Sequence, residues 1–304
     1  MELYDCVIVG GGPAGLSAAI YLARFNRSAL VLDRGGGRWV THEINENYLG
    51  FPDGIASRDL RDLGRRQAER FGARVLETAI TSLRRTDGAF VADDGEAEFL
   101  GRTLILATGA IDLFPEFDAL EACMGKSVFW CITCDGWKAR DKRVAVVGAT
   151  DAAAVTCMQF LQFTPQLAFV TNRPPGEAQV SPRRLRALHD AGIPFFEGAI
   201  AGIEETDGLI RALRLDTGAR IEAHMLFNQQ GSRPNSRLAQ DLRVACTPHG
   251  WILTDDEQRT NVPMLYAAGD VTRLYAHQIV TAAHEGATAA QAANYDLYRP
   301  EQRE

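Results

Sequence analysis

The chain of 304 residues lacks any apolar run of about 18 residues, the length a helix needs to cross a bilayer. It also lacks an excess of positive charge, because 32 Lys and Arg stand against 39 Asp and Glu and the net charge is −7. Nucleic acid and anionic membranes attract basic surfaces, so neither is an expected partner. With no recognisable signal peptide and only six cysteines, the sequence predicts a cytoplasmic protein in a reducing compartment.

Cysteine is scarce, and paired histidines at H-x3-5-H spacing are absent. Four cysteines stand alone: Cys6, Cys123, Cys157 and Cys246. The other two, Cys131 and Cys134, have C-x-x-C spacing and are followed directly by Asp135. This spacing lets two sulfurs close a disulfide, and an adjacent acid can donate or accept their protons. A zinc site is the alternative, but it normally needs a second C-x-x-C or a histidine pair, so the pattern favours a redox dithiol.

The length and composition predict an α/β protein of two domains. A chain of 304 residues exceeds one comfortable core, so a second domain is expected, either in tandem or inserted in the first. Hydrophobic residues at 46% and charged residues at 23% are ordinary for a folded α/β chain and do not suggest disorder.

The N-terminal segment has the order strand, glycine turn, helix, with the helix predicted from Leu16 to Phe25. The turn reads Gly10-Gly11-Gly12-Pro13-Ala14-Gly15. Its glycines fit G-x-G-x-x-G, in which the three glycines permit a tight turn, close approach of a pyrophosphate, and packing of helix on strand. Asp33 ends the next strand about 20 residues later, where an acid can bind a ribose hydroxyl. The segment predicts dinucleotide binding.

A long loop follows Asp33 and contains Arg38 and Asn47. Long loops in compact domains are usually functional, and this one lies just beyond the nucleotide-binding unit. Three short strands, Arg74–Glu77, 79–84 and 89–92, are predicted as an antiparallel meander. A buried parallel strand then ends in the small-residue turn Ala107-Thr108-Gly109.

A second strand, turn and helix begin at residue 142, but the turn reads Gly148-Ala149-Thr150-Asp151. Alanine replaces the second glycine, and an aspartate stands at the phosphate position. A methyl group blocks close backbone approach, and a carboxylate repels phosphates. Arg173 is available for a 2′-phosphate, but two prolines stiffen its loop. A scaffold unit without its ligand is therefore favoured over a working NADPH site.

The last third predicts a strand that delivers Gly269 and Asp270 at its carboxyl end, where ligands bind in open α/β sheets. A long alanine-rich helix is predicted from Ala276 to Leu297. Its first residues, His277, Gln278 and Ile279, can present amides and a positive dipole to an electron-rich ligand.

Three motifs in this order resemble those of the low-molecular-weight thioredoxin reductase family. They are Gly10 to Gly15, Ala107-Thr108-Gly109 and Ala268-Gly269-Asp270, with C-x-x-C-D-G between the second and the third. The resemblance covers essentially the whole chain. It implies two Rossmann-like domains of the three-layer ββα type: an FAD-binding domain at 1–114 and 241–304, and an inserted NADPH-like domain at 115–240 that carries the C-x-x-C. It also implies a homodimer with a thioredoxin-like disulfide as partner.

The resemblance also implies roles for individual residues. Cys134 would face the flavin, Cys131 would exchange with the partner disulfide, and Asp135 would serve as acid or base. The residues implied in FAD binding are Gly10, Gly12, Pro13, Ala14, Gly15, Asp33, Arg38, Asn47, Ala107, Thr108, Gly109, Gly269, Asp270, His277, Gln278 and Ile279. No metal ligands are expected.

Departures from the family sharpen the expectation. Its basic H-R-R cluster for the NADPH 2′-phosphate is replaced by Thr171-Asn172-Arg173, and its arginine-glutamine pair before the last helix is His277-Gln278. We therefore expect an FAD-dependent disulfide oxidoreductase that does not use NADPH, with a ferredoxin-like protein as candidate donor. The alternatives are an ordinary NADPH-dependent thioredoxin reductase, a dithiol oxidase that uses O2, and a flavin redox sensor that does not turn over.

Overall fold

The computed structural model describes residues 2–41, 43–272 and 277–303. The chain divides into two compact units. Unit 1 runs up to Ile111 and resumes at Arg233, and unit 2 is Asp112–Ser232. Both boundaries lie a few residues earlier than the predicted ones at 114 and 240. The second boundary is earlier because the short helix around Asp241 belongs to unit 1, where the Asp241 carboxylate accepts a hydrogen bond from the Leu83 amide at 3.0 Å.

Within the described residues the strands are β1 (Leu3–Val9), β2 (Ala29–Asp33), β3 (Ile44–Asn45), β4 (Ile55–Ala56), β5 (Arg74–Glu77), β6 (Ser82–Thr86), β7 (Ala89–Asp93), β8 (Glu98–Leu106), β9 (Ala110–Asp112), β10 (Val128–Phe129), β11 (Val144–Val147), β12 (Leu167–Val170), β13 (Phe195–Phe196), β14 (Ile200–Thr206), β15 (Leu209–Leu215), β16 (Arg220–Glu222), β17 (Met225–Asn228), β18 (Ser232–Pro234) and β19 (Leu265–Ala267). The helices are α1 (Pro13–Arg24), α2 (Arg38–Thr41), α3 (Ser57–Arg70), α4 (Leu120–Cys123), α5 (Ile132–Asp135), α6 (Asp151–Gln159), α7 (Pro182–Asp190), α8 (Arg237–Asp241) and α9 (Ile279–Asp296). Short 3₁₀ helices span Gly136–Ala139, Phe160–Gln162 and Pro300–Gln302.

Unit 1 is built on one mixed sheet in the order β5-β2-β1-β8-β7-β6, with β19 also paired to β8. Strands β5, β2, β1, β8 and β19 are parallel, and β6 and β7 form an antiparallel hairpin that continues onto β8. The prediction that Arg74–Glu77 belongs to the meander is therefore wrong. That strand lies at the parallel edge beside β2, where Val75 pairs with Val31 and packs against the helix-side core.

The two faces of the unit 1 sheet carry different cores. Cys6 and Ile8 of β1 point toward α1 and α9, whereas Val7 and Val9 point to the opposite face, which the hairpin and the 239–271 segment help to cover. This alternation is the period of two expected of a strand buried on both sides. Helix α1 begins at Pro13, three residues before the predicted start, because proline suits the first helical turn.

Unit 2 repeats the layered arrangement. Its sheet β10-β17-β11-β12-β13 is wholly parallel, and β14, β15 and β16 form a separate antiparallel sheet. Val144 and Val146 of β11 face a core shared with α6, while Ala145 and Val147 face the antiparallel sheet. The predicted α/β fold, two Rossmann-like three-layer units with the second inserted in the first, is confirmed.

Helix α9 begins at Ile279. The predicted start of this helix, Ala276, lies outside the described residues. Small residues let α9 pack closely on α1. At Gly286 an added Cβ would lie only 2.0 Å from the Ala14 carbonyl oxygen. Of the helices in the described part of the chain, none combines the length and the apolar character needed to span a membrane.

Candidate functional site

The glycine turn after β1 is shaped by backbone contacts that exclude other residues. A Cβ on Gly10, whose φ is +110°, would lie 2.2 Å from the Ala107 carbonyl oxygen. A Cβ on Gly15 would lie 1.9 Å from the Gly10 carbonyl oxygen. Gly12 differs, because nothing lies within 4 Å of the position its Cβ would take. The turn is therefore closed behind Gly10 and Gly15 and open in front of Gly12, as a bound pyrophosphate requires.

The N-terminus of α1 faces this open space. Gly12 is the N-cap residue and Pro13 opens the first turn, and among the described residues no side chain caps this end. The first amides of a helix lack partners within the helix and lie at the positive end of its dipole, so they bind phosphate oxygens. Asp33 lies next to the same turn, since a Cβ on Gly11 would be 2.7 Å from its Oδ2.

The second predicted motif forms a turn at the end of β8. The Ala107 amide donates to the Val9 carbonyl at 2.8 Å, which places the turn beside Gly10. The Thr108 hydroxyl donates to the Asn235 carbonyl at 2.7 Å, and the Asn235 amide donates to the Gly109 carbonyl at 2.9 Å. Within unit 1, this turn therefore links the glycine motif to the returning C-terminal segment.

Arg38 joins the third motif to the loop after β2. Its Nη1 lies 2.8 Å from Oδ2 of Asp270 and 3.0 Å from Nδ1 of His277. A guanidinium can only donate, so Nδ1 of His277 is the acceptor in this contact. The Trp251 ring lies 5.1 Å from the His277 ring, centroid to centroid. The structure thus brings together three of the predicted residues, and adds Trp251, which carried no sequence signal.

Asn47 and Gln278 also meet. The side-chain Nδ2 of Asn47 donates a hydrogen bond to Oε1 of Gln278 at 2.9 Å. Gln278 also forms a capping box with Thr281 at the start of α9. Ile279 is the first residue of that helix. The long loop and the first turn of α9 are therefore fixed to each other through a predicted pair of site residues.

Glu285 is a site residue that the sequence analysis missed. It is buried in α9, and its Oε2 accepts hydrogen bonds from the Gly269 amide at 2.7 Å and from the Thr272 hydroxyl at 3.2 Å. Burial raises the pKa of this carboxyl group above its ordinary value. Glu285 thereby fixes the turn that carries Asp270. An acid in the interior of an alanine-rich helix was the signal that could have revealed it.

The C-x-x-C pair is closed in unit 2, with a sulfur–sulfur distance of 2.06 Å. Cys131 caps α5, and its sulfur accepts a hydrogen bond from the Cys134 amide at 3.0 Å. Asp135, the last residue of α5, is 3% exposed, and its Oδ1 lies 3.2 Å from Nζ of Lys138. Lys138 was not predicted to lie beside Asp135, although its spacing of three residues was visible in the sequence.

The profile of the pyridine nucleotide-disulphide oxidoreductase family matches residues 4–287. The chain belongs to this family. It is 31% identical to the thioredoxin reductase of Treponema pallidum over 95% of this chain and 96% of that protein. A thioredoxin reductase structure from Streptococcus pyogenes matches with a TM-score of 0.90 at 28% identity, covering 97% of this chain and 98% of that chain.

A further relative is described as atypical. The structure of the atypical thioredoxin reductase TRi from Desulfovibrio vulgaris Hildenborough is 36% identical, with a TM-score of 0.53, covering 95% of this chain and 96% of that chain. These similarities confirm the resemblance to low-molecular-weight thioredoxin reductases. The protein is a flavin-dependent, thioredoxin-reductase-like disulfide oxidoreductase, and the family implies FAD. The open space at Gly12 leaves room for a phosphate group of such a cofactor.

The corresponding turn of unit 2 differs from that of unit 1. The Thr150 hydroxyl accepts a hydrogen bond from the Ala153 amide at 3.2 Å and caps α6. Oδ1 of Asp151 accepts one from the Ser181 amide at 2.7 Å, and this bond lowers the pKa of the Asp151 carboxyl group. The Gln179 amide donates to the Ala149 carbonyl at 2.8 Å. Residues 179–181 therefore lie against the turn where a second dinucleotide would place its phosphates.

Proposed function

We propose that the protein is an FAD-dependent disulfide and dithiol oxidoreductase that exchanges electrons with a thioredoxin-like protein or a small-molecule disulfide, and that it does not use NADPH. The observation that carries the proposal is the closed Cys131–Cys134 disulfide followed by the buried carboxyl group of Asp135. Bound FAD would supply a two-electron couple for this disulfide.

The dithiol chemistry is assigned to three residues. In the reduced protein the Cys131 thiolate attacks a partner disulfide, forming a mixed disulfide and releasing one partner thiolate. Cys134 then attacks the Cys131 sulfur, which restores the Cys131–Cys134 bond and releases the second partner thiolate. The partner gains two electrons and the dithiol loses two. Asp135 holds or delivers a proton beside these sulfurs, since it follows Cys134 directly and is shielded from solvent.

The flavin would be held within unit 1. Gly10, Gly12, Pro13, Ala14 and Gly15 would present the turn and the α1 amides to the pyrophosphate, and Asp33 would bind the adenosine ribose. The loop and α9 residues would contact the remainder of the cofactor: Arg38, Asn47, Ala107, Thr108, Gly109, Gly269, Asp270, His277, Gln278 and Ile279. The open space at Gly12 and the ties between Arg38, Asp270 and His277 support this assignment.

The exclusion of NADPH is supported by what covers the second turn. A dinucleotide phosphate placed at α6 would compete with the Thr150 cap and would meet the carboxylate of Asp151, which is repulsive. The backbone of Gln179 would also have to leave Ala149. These contacts support a protein that does not use NADPH, and a ferredoxin-like protein is the proposed electron donor.

Ordinary NADPH-dependent thioredoxin reduction is the second candidate. Two observations favour it: the T. pallidum and S. pyogenes relatives are named thioredoxin reductase, and the family is named for pyridine nucleotides. The two candidates share the flavin and the dithiol and differ only in the donor.

An anaerobic titration distinguishes them. The purified flavoprotein is titrated with NADPH and then with NADH while the visible flavin absorbance is followed, with dithionite as positive control. We expect dithionite to bleach the flavin and both nucleotides to leave it oxidised. Rapid bleaching by NADPH would establish the second candidate. Peroxide formation with dithiol substrates would identify an O2-dependent oxidase, and a spectrum of bound FAD that ignores Cys131→Ser and Cys134→Ser would identify a sensor.

The cytoplasmic location and the homodimer remain predictions. Light scattering of the FAD-loaded protein tests the latter, for which a mass of twice 33.3 kDa is expected.

A further inference from the structure

The segment after the disulfide places a cation on the buried acid. Helix α5 ends at Asp135 and passes directly into the 3₁₀ helix Gly136–Ala139. Residues three apart lie on the same side of such a helix, so Lys138 is positioned over Asp135. Its Nζ lies 3.2 Å from Oδ1 of Asp135. The contact therefore follows from the local backbone of the redox motif itself.

Burial makes this pair more than a surface contact. The Asp135 side chain is 4% exposed and that of Lys138 is 22% exposed. The Lys138 ammonium also lies 5.3 Å from the centroid of the Phe129 ring and 5.8 Å from that of Trp137. Aromatic faces attract cations, so these two rings help to hold the ammonium group on the carboxylate. Screening by solvent is weak at such a position, unlike at exposed ion pairs.

The backbone under the pair leaves little room for rearrangement. A Cβ on Gly136 would lie 2.8 Å from the Phe163 ring and 3.0 Å from the Ile132 side chain. The turn between Asp135 and Lys138 is thus packed against its neighbours at the one residue without a side chain. This packing limits movement of the backbone that joins Asp135 to Lys138.

We propose that Lys138 is a positioning residue for Asp135 in thiol–disulfide exchange. Its ammonium group holds the carboxylate in the orientation in which Asp135 serves the cysteines. The proposal rests on the proposed role of Asp135 in proton transfer. Removing Lys138 should therefore slow exchange only while Asp135 is present, because the lysine acts through the carboxylate.

A double-mutant cycle tests this coupling. Wild type, Lys138→Met, Asp135→Asn and the double variant are reduced, freed of reductant, and mixed with 5,5′-dithiobis(2-nitrobenzoate) under single-turnover conditions. We expect each single variant to slow exchange by about tenfold, and the double variant to be within about twofold of Asp135→Asn.

A conservative variant separates the charge of Lys138 from the packing of its methylene stem. Lys138→Arg retains the cation and should restore most of the rate, whereas a role for the stem alone would be met by methionine. Lys142→Met, which removes an exposed lysine of the same segment, is the matched control and should react like wild type.

Each alternative outcome is distinct. Multiplicative slowing in the double variant, or a Lys138→Arg variant as slow as Lys138→Met, would overturn the assignment of Lys138 while leaving the dithiol function intact. A reduced wild-type protein that does not cleave the probe would instead contradict the proposed function. Circular dichroism of all variants identifies any loss of folding.

Discussion

Arg38 and Asp270 form an ion pair of 2.8 Å although 232 residues separate them in the chain. The pair connects the start of α2 with the turn after β19, and the same guanidinium donates to Nδ1 of His277. Both side chains are about one-fifth exposed or less, so the pair is only partly screened by solvent. A guanidinium from the loop after β2 therefore lies beside His277, the residue that precedes Gln278.

Replacing Arg38 should weaken FAD binding. The Arg38→Gln variant leaves Asp270 partly buried without its cation, and the loss of a hydrogen bond between charged groups corresponds to about a tenfold rise in the FAD dissociation constant. Fluorescence titration of the apoprotein measures this constant. Arg102→Gln, whose side chain lies 3.7 Å from the Asp5 carboxylate on the surface, is the control and should bind FAD like wild type. Unchanged affinity in Arg38→Gln would show that the pair does not organise the flavin site.

Two substitutions in the glycine turn should have different effects, one on FAD affinity and the other on the free energy of unfolding. Gly12→Ala adds a methyl group into open space, so the apoprotein should fold with wild-type stability while losing FAD affinity by about tenfold or more. Gly15→Ala places its methyl group against the Gly10 carbonyl and should lower the free energy of unfolding by about 1 to 3 kcal/mol. Urea unfolding and FAD titration measure the two quantities. Gly202→Ala, at an equally open position in β14, should change neither, and a Gly12→Ala protein that retains FAD would place the pyrophosphate elsewhere.

Glu285 should give the stability a specific pH dependence. Burial raises its pKa in the folded protein above the ordinary value of 4.5, so above about pH 4.5 the unfolded chain releases a proton that the folded chain keeps. The folded state then binds more protons, and the free energy of unfolding falls as pH rises through this window. In Glu285→Gln this contribution is absent, so its stability relative to wild type should increase with pH. Urea unfolding from acid to neutral pH measures the difference, with the exposed Glu116→Gln as control. Parallel curves for wild type and Glu285→Gln would contradict the raised pKa.

The remaining cysteines should be inert in the native protein. Burial raises the pKa of Cys6 and that of Cys157 to about 12, and it also raises the pKa of Cys123 and that of Cys246. Thiolates are the reactive form, so only Cys131 and Cys134 should react rapidly once reduced. A thiol assay should count two rapid thiols in the folded reduced protein and all six after denaturation. A third rapid thiol in the native state would show that one of the four is accessible.

Much of the fold and part of the site could be predicted because they depend on local backbone rules. The order strand, turn, helix around Gly10 follows from glycine spacing and hydrophobic pattern, and the Cys131–Cys134 pairing follows from two intervening residues. These signals fixed the α/β class, the Rossmann-like units and the family. The contact of Lys138 with Asp135 was equally local and could have been found.

The strand β5 was misassigned because periodicity identifies a strand but not its neighbour. Arg74–Glu77 pairs in parallel with β2 because α3 carries the chain back along the sheet, which a short apolar run does not reveal. The boundary predicted at 240 also differs from the observed one, because unit 1 resumes at Arg233. Helix α8 belongs to unit 1, where the Leu83 amide donates a hydrogen bond to the Asp241 carboxylate.

The sequence by itself determined where the glycine turn after β1 forms and which two cysteines pair in a disulfide, since each depends on residues within a few positions of one another. Only the tertiary structure decided which distant groups meet there. The Arg38 guanidinium donates to the Asp270 carboxylate. The Glu285 carboxyl group accepts a hydrogen bond from the Gly269 amide, and the Asp151 carboxylate accepts one from the Ser181 amide. The physical reason is that a side chain's partner across a fold is set by how helices and strands pack, and packing joins positions whose separation along the chain carries no periodic signal.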